Sequence, residues 1–507
     1  MRIGVFIFSF IFSTSALFAQ NIHADLSQIF SRYKLMGMSV VGVCNGKVAF
    51  SHYQGLADFQ RNIPIDSNTK YRIASISKAI TAMALMKLWE QGYFQLDDDV
   101  NNYLNFSLRN PNFPTKAITF RMLLSHTASL NDGTGYENFL NATYTNTTPP
   151  NLSQLLTPSG SYYTANMFLN REPGTYFSYA NVTYGVIGTL IERISGKRFD
   201  VFCKENIFQP LGLDASFNIQ DLTNINQVAV LYRKSGSSWV PQIDNYNGVM
   251  PPPRDLSTYT IGNNGFIFAP QGGLRISAKD LAILALLMIN KGIYNNVRIL
   301  NASTVNVMSE PQWTFNGTNG NNYSCLFNEW TLGLHSITNR TRCDVVLGKK
   351  MLGHAGEAYG LISDWYFNVS TKEVVVFVTN GSETPYATTS QSAFYAVEHD
   401  IFQAVKKELD RVCGSSSGSN PPSVTALESN SDFQVFPNPA CESIEIQFTQ
   451  PVSAQIQFYN AQGKLLLEGN SQGKANFNIF TKNLPKGVYL LHIRSTHFQK
   501  QVKVVLE

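Results

Sequence analysis

Cysteine is scarce. Six in 507 residues are too few to build a disulfide scaffold in a chain of this size. Cys44 ("VVGVC") and Cys203 ("VFC") sit in apolar runs and read as small buried hydrophobes. Cys325 and Cys343 flank a polar, loop-like stretch where a bridge would fit. The chain has no C-x-x-C or H-x-x-x-H spacing, so neither a metal nor another cofactor is expected. Charge is also sparse, at 15% of residues, and the net +4 is spread without a dense basic run. That argues against nucleic acid as a partner. Past residue 19 there is no apolar stretch long enough to span a bilayer, which needs about twenty residues.

What is present begins with an export signal. Arg2 supplies a short positive region, "IGVFIFSFIF" an apolar core, and "STSALFA" the small residues of a cleavage zone. Residues 1–19 therefore read as a secretory signal peptide cut after Ala19, with Leu17 standing where a small residue is preferred. The 44% hydrophobic content suits a globular chain with a large core.

The composition changes once. "CGSSSGSNPPS" is a Gly/Ser/Pro linker, placed at 411–428, between a domain at 22–410 and another at 429–507. The last domain is a series of short strands, "SIEIQFT" to "QKQVKVVLE", with turn residues between them, and predicts a small β-sandwich. The first domain alternates. "MSVVGVCNGKVAFSHYQG" predicts a hairpin turning at Asn45-Gly46. Helices are predicted over 75–91, 182–195 and 278–291, each closed by a glycine. "YGLISDWYFN" and "TKEVVVFVTN" predict an antiparallel pair before a helix at about 392–411. Strands at both ends with helices between them imply an α+β domain whose sheet joins the two ends.

Four serines precede a lysine by three residues: Ser31/Lys34, Ser67/Lys70, Ser75/Lys78 and Ser471/Lys474. Spacing alone does not separate them. Context does: after Lys78 the helix is apolar nearly all round, so it belongs to a core. A lysine at the head of a buried helix loses proton affinity by desolvation, which is what a base for a serine nucleophile requires. Ser75 in the first turn also lies near unpaired N–H groups.

"YRIASISKAITAMALMKLWEQG" resembles the nucleophile helix of the serine β-lactamase and penicillin-binding-protein superfamily, in its class C β-lactamase, DD-carboxypeptidase and esterase branch. "ITFRMLLSHTASL", "PGTYFSYANVTYGVIGTLIERISGKRF", "QGGLRISAKDLAILALLM" and "LGHAGEAYG" resemble its later motifs in order, across roughly 22–408. The resemblance implies an antiparallel sheet flanked by helices plus an all-helical region. It implies Ser75 as nucleophile, with Lys78 and Tyr179 handling the proton. Asn181, His354, Gly356 and Glu357 would contact substrate, the N–H of Glu357 joining that of Ser75 in an oxyanion hole. Tyr179-Ala180-Asn181 is one of six Y-x-N matches. It is chosen because a turn precedes it and a helix follows.

Three departures stand out. His354 replaces the usual lysine of Lys-Thr-Gly, which weakens recognition of a substrate carboxylate. Glu357 stands where a small residue is usual and would disfavour anions unless it points away. "HTAS" replaces "HTSG". The C-terminal domain resembles the type IX secretion sorting domain, through "FQVFPNPACESIEIQF", "YNAQGKLLLEGN" and "LPKGVYLLHI". The expectation is an exported serine hydrolase, secreted or on the outer surface of a Gram-negative bacterium. It would act by an acyl-enzyme on a peptide, ester or β-lactam, with the type IX machinery as its export partner. The alternatives are a catalytically silent peptide-binding protein and a dedicated class C-like β-lactamase.

Overall fold

The computed structural model describes residues 22–338, 344–345, 349–414, 433–436, 443–448, 451–460, 464–481, 484–495 and 498–506. The expected signal peptide and most of the expected linker lie outside them. The chain divides into two units between residues 417 and 418.

In the first unit the principal helices are α1 (Ile22–Arg32), α2 (Ile76–Glu90), α3 (Val182–Ser195), α4 (Ala278–Ile289) and α5 (Ala396–Gly414). The principal strands are β1 (Gly37–Cys44), β2 (Lys47–Asp58), β3 (His335–Ile337), β4 (Met351–Ala358), β5 (Leu361–Asn368) and β6 (Glu373–Thr379). With three two-residue strands they form one sheet, in the order Trp313–Thr314, Glu329–Trp330, β3, β4, β5, β6, β1, β2, Ile63–Pro64. The expected hairpin is there: Asn45 (φ 51°) and Gly46 (φ 76°) make the tight turn between β1 and β2. β1 pairs with β6, Met38 opposite Thr379, so the sheet does join the two ends of the domain.

Both sheet faces are covered, which is why β1 and β6 are buried along their whole length. Leu26, Ile29, Ile401 and Phe402 of α1 and α5 pack with Val40 and Phe377 on one side. α2, α3 and α4 share the larger core on the other. Every residue of α2 from Ile76 to Met86 is buried. α3 ends where the glycine rule places it, with Gly196 at φ 69° capping Glu192. α5 runs to Gly414, four residues into the segment read as linker.

One sequence expectation fails here. Cys44 is buried, as its apolar context implied, but it is bonded to Cys413 at the end of α5. The partners lie 369 residues apart and meet only because the sheet brings the two ends of the domain together. Cys203 is free and buried. Cys325 is disulfide-bonded, and Cys343, its expected partner, lies outside the described residues. The Cys44–Cys413 bridge closes a long loop, so replacing both cysteines by alanine should cost about 3–5 kcal/mol. Urea unfolding with and without reductant measures it: wild type and the double variant should differ without reductant and coincide in reductant, where the Cys325 bridge is broken in both.

The second unit is two antiparallel sheets, Phe433–Phe436, Ser443–Phe448 and Asn476–Phe480 in one, and Gln455–Asn460, Leu465–Asn470, Gly487–Arg494 and Gln499–Leu506 in the other. Ile444, Ile446 and Phe448 from the first meet Ile456, Phe458 and Leu491 from the second in one core. This is the expected β-sandwich.

Candidate active site

A short strand, Lys70–Arg72, pairs with Arg275–Ser277 and leads into α2. Between them Ala74 is held at φ 49°, a left-handed conformation that a residue with a Cβ adopts at a cost. The kink sets Ser75 at the mouth of α2, half-buried, while Lys78 one turn on is fully buried.

Lys78 Nζ lies 2.9 Å from Ser75 Oγ, 2.7 Å from Asn181 Oδ1 and 2.8 Å from the Gln271 carbonyl. Two of these three partners can only accept. A neutral amine has two hydrogens for them and one lone pair left, directed at Ser75. Burial favours that neutral form, lowering the Lys78 pKa from 10.5 to about 7 against the opposing charge of Asp132. Tyr179, half-buried, is shifted in the opposite sense: desolvation pushes its hydroxyl well above the usual range, although a hydrogen bond to Ser75 works the other way. The Lys78 amine also lies 4.9 Å from the Tyr179 ring centre.

Asp132 decides which way Asn181 faces. Its carboxylate accepts from Asn181 N (2.9 Å), Asn181 Nδ2 (2.8 Å) and Val182 N (2.8 Å). With the amide nitrogen committed there, the amide oxygen is what Lys78 meets. The 270–274 loop is stitched to α2 in the same manner, Thr81 donating to Pro270 O and Leu274 N to Ser77 Oγ. His126 (φ 54°) accepts from Ala180 N at 3.3 Å, and its tilted ring lies 4.5 Å, centre to centre, from that of Tyr179. Asp132 and the Gln271 carbonyl were not singled out from the sequence, and His126, in the quoted "HTAS" loop, was given no role there. An aspartate in "NDGTG" has no spacing signal, and a backbone carbonyl has none by nature.

β4 forms the facing wall. β3 pairs with residues 351–353 alone, so among the described residues nothing pairs with that edge of 354–358. Gly356 is a steric requirement: a Cβ there would stand 2.4 Å from Ser363 Oγ, 2.6 Å from Ile73 O and 3.2 Å from Ser75 N. His354 is buried, its Nδ1 donating to Ala355 O at 2.6 Å, since a carbonyl can only accept. Burial lowers its pKa from 6.5 to about 3, so the ring is neutral, and its Nε2 has no partner among the described residues. The Glu357 carboxylate accepts from the Tyr395 hydroxyl at 2.9 Å. Ser75, Tyr179, Asn181, His354, Gly356 and Glu357 all line one cleft of about 370 Å³.

The other three Ser-x-x-Lys pairs do not meet. Lys34 pairs with Glu383, Ser31 donates to Ser27 O, and Ser471 donates to Val452 O. Lys70 is as buried as Lys78, but its amine goes to Asp214 (2.7 Å) and Gln227 (2.9 Å). Burial alone therefore does not mark a base. The buried amine of Lys70 has a carboxylate beside it, whereas that of Lys78 is offered carbonyls and a serine.

Known proteins share this fold. A family model described as Beta-lactamase matches residues 18–396, and one described as Secretion system C-terminal sorting domain matches 434–507. The chain is 25% identical over 229 residues to Protein flp of Staphylococcus aureus, covering 45% of this chain and 44% of that one. It spans less than half the length of the curated relatives it matches first. The octameric penicillin-binding protein homologue from Pyrococcus abyssi has the same fold, with TM-score 0.57, 18% identity and 96% of both chains covered. So does the D-amino acid amidase from Ochrobactrum anthropi SV3, with TM-score 0.54, 19% identity, and 77% of this chain and 98% of that one covered. The sorting domain addresses the chain to type IX secretion, hence to the cell surface or the medium of a Gram-negative bacterium. The chain belongs to the β-lactamase family of serine hydrolases and penicillin-binding proteins, and it carries a type IX sorting domain.

Proposed function

We propose that this protein is an exported serine hydrolase working through an acyl-enzyme on a peptide with D-residues, an ester or a β-lactam. The observation that carries this is Lys78: a buried amine 2.9 Å from Ser75 Oγ, its pKa lowered by burial to about 7. Ser75 Oγ attacks the substrate carbonyl as its proton passes to Lys78 Nζ. The oxyanion takes hydrogen bonds from the N–H groups of Ser75 and Glu357. The proton then reaches the leaving group through the Tyr179 hydroxyl, which is neutral and therefore able to donate. Water repeats the sequence and releases the acid. Lys78 rather than Tyr179 is the first base, because burial makes an amine easier to deprotonate and a phenol harder.

His354 argues against a dedicated β-lactamase. Held neutral, it brings no positive charge to the substrate's carboxylate. The D-amino acid amidase on the same fold supports amides among the substrates. Exposure of purified protein to fluorescent penicillin, p-nitrophenyl esters and D-amino acid amides tests the reading. Covalent labelling or a p-nitrophenol burst is expected. No labelling and no turnover on any of them would leave a silent binding groove instead.

The oxyanion arrangement makes its own prediction. Gly356→Ala drives a methyl group against the Ser75 amide and pushes β4 off the nucleophile. The loss should be about 100-fold in kcat, the effect of one missing oxyanion donor, read by ester hydrolysis on folded protein.

A further inference from the structure

The loop that gives Lys78 its Gln271 carbonyl has a second cavity behind it, of about 380 Å³. Three guanidiniums line this cavity, those of Arg72, Arg254 and Arg275, against one carboxylate, Asp244. Asp244 is already committed. It accepts from Arg275 Nε (3.0 Å) and Nη2 (2.6 Å) and from the Tyr246 hydroxyl (2.9 Å). Arg72 donates to the Gly272 carbonyl at 3.3 Å and lies 5.4 Å from the Tyr359 ring centre. Arg254, half-buried, donates to the Thr143 carbonyl. Neither makes an ion pair among the described residues.

An unpaired guanidinium removed from water is costly. Burial does pull the Arg254 pKa below its ordinary value. An anion between the two side chains would recover that cost through charge-assisted, bidentate hydrogen bonds. Ile219 and Phe268 give the cavity apolar walls, and Tyr144 and Tyr359, each 39% exposed, stand where it meets solvent.

The cavity is also close to the nucleophile. Arg72 precedes Ser75 by three residues, so their α-carbons are at most about 10 Å apart. Gln271 links the two places directly, its carbonyl meeting Lys78 while its Nε2 donates to the Tyr144 hydroxyl. The catalytic cleft carries the Glu357 carboxylate and is lined by no arginine or lysine, while burial pushes Glu398 up to about 8 and so toward its neutral form. The two cavities thus differ in sign, and an anionic group is steered to the one lined by arginines.

We propose that Arg72 and Arg254 form an anion subsite, holding a carboxylate on a short apolar arm of the acyl compound that Ser75 attacks. This rests on the acyl-transfer reading above. Two esters separate the possibilities: p-nitrophenyl butyrate, and the mono-p-nitrophenyl ester of glutaric acid, which adds a carboxylate. Wild type should favour the glutarate ester in kcat/KM. Arg254→Gln and Arg72→Gln should each lower the glutarate-to-butyrate ratio at least tenfold, through KM of the glutarate ester. A ratio unchanged in both variants overturns the subsite. Calorimetry on the full Ser75→Ala chain then probes the cavity without catalysis, using glutarate and inorganic phosphate at low and high salt. Saturable glutarate binding that weakens with salt and is lost in Arg254→Gln supports the proposal; no binding at low salt overturns it. Phosphate binding as tightly as glutarate makes a free anion the occupant and overturns the substrate assignment. Glutarate binding without turnover of either ester supports the cavity and counts against the acyl-transfer reading alone.

Discussion

Ser75→Ala is expected to lower kcat roughly a million-fold, the scale seen when a serine nucleophile that acts as a unit with its base is removed. The fold should hardly notice. Ser75 is half-buried at the edge of the cleft, and removing its hydroxyl opens no core cavity, so stability should stay within about 1 kcal/mol. Penicillin labelling should vanish together with ester turnover, because both need the same oxygen. Ser67→Ala is the informative control. It carries the same spacing and an equally buried lysine, yet Lys70 is held by Asp214 and Gln227. Turnover unaffected by Ser67→Ala and abolished by Ser75→Ala would show that the lysine's partners, not the three-residue step, create the nucleophile. Residual labelling of Ser75→Ala would place the acylated residue elsewhere.

The parts legible from sequence were those set by local rules. α3 stops at Gly196 because a left-handed cap favours glycine, and the β1–β2 turn follows from Asn45-Gly46. α2 was recognisable because a helix apolar all round has no solvent face. Ser75, Lys78 and Tyr179 came from setting and family resemblance, and the structure does bring them together. What escaped depends on contacts between distant segments. Asp132 acts on Asn181 across 49 residues, and Cys44 finds Cys413 across 369. Arg72 and Arg254 line one cavity only after the Lys70–Arg72 strand and the loop at 250–256 are packed. The concern over Glu357 was a matter of direction, which sequence does not hold; its carboxylate turns to Tyr395.

Lys78→Met tests the electrostatic half of the same machinery. Methionine keeps the length and apolar stem but cannot take a proton. The loss in kcat should be about 10,000-fold, the upper range for a general base, with Tyr179 and the oxyanion donors still in place. In wild type, kcat/KM should rise with pH through about 7, as Lys78 loses its proton, and then level off. His354 should add no inflection near 6.5, since burial holds it at about 3. The same shift appears in stability. Folded Lys78 is mostly deprotonated above about 7, whereas the unfolded lysine keeps its proton to about 10.5. Between those values the unfolded chain binds the extra proton, so raising the pH stabilises the fold. Wild-type stability minus that of Lys78→Met should therefore climb with pH across this window, by at most about 1.4 kcal/mol per unit. Below 7 both states hold the proton and the difference should be flat. A flat difference between 7 and 10.5, with an activity limb still at 7, would mean that another group is the base. Both curves moving together would tie the pH at which Ser75 becomes active to the cost of burying one amine.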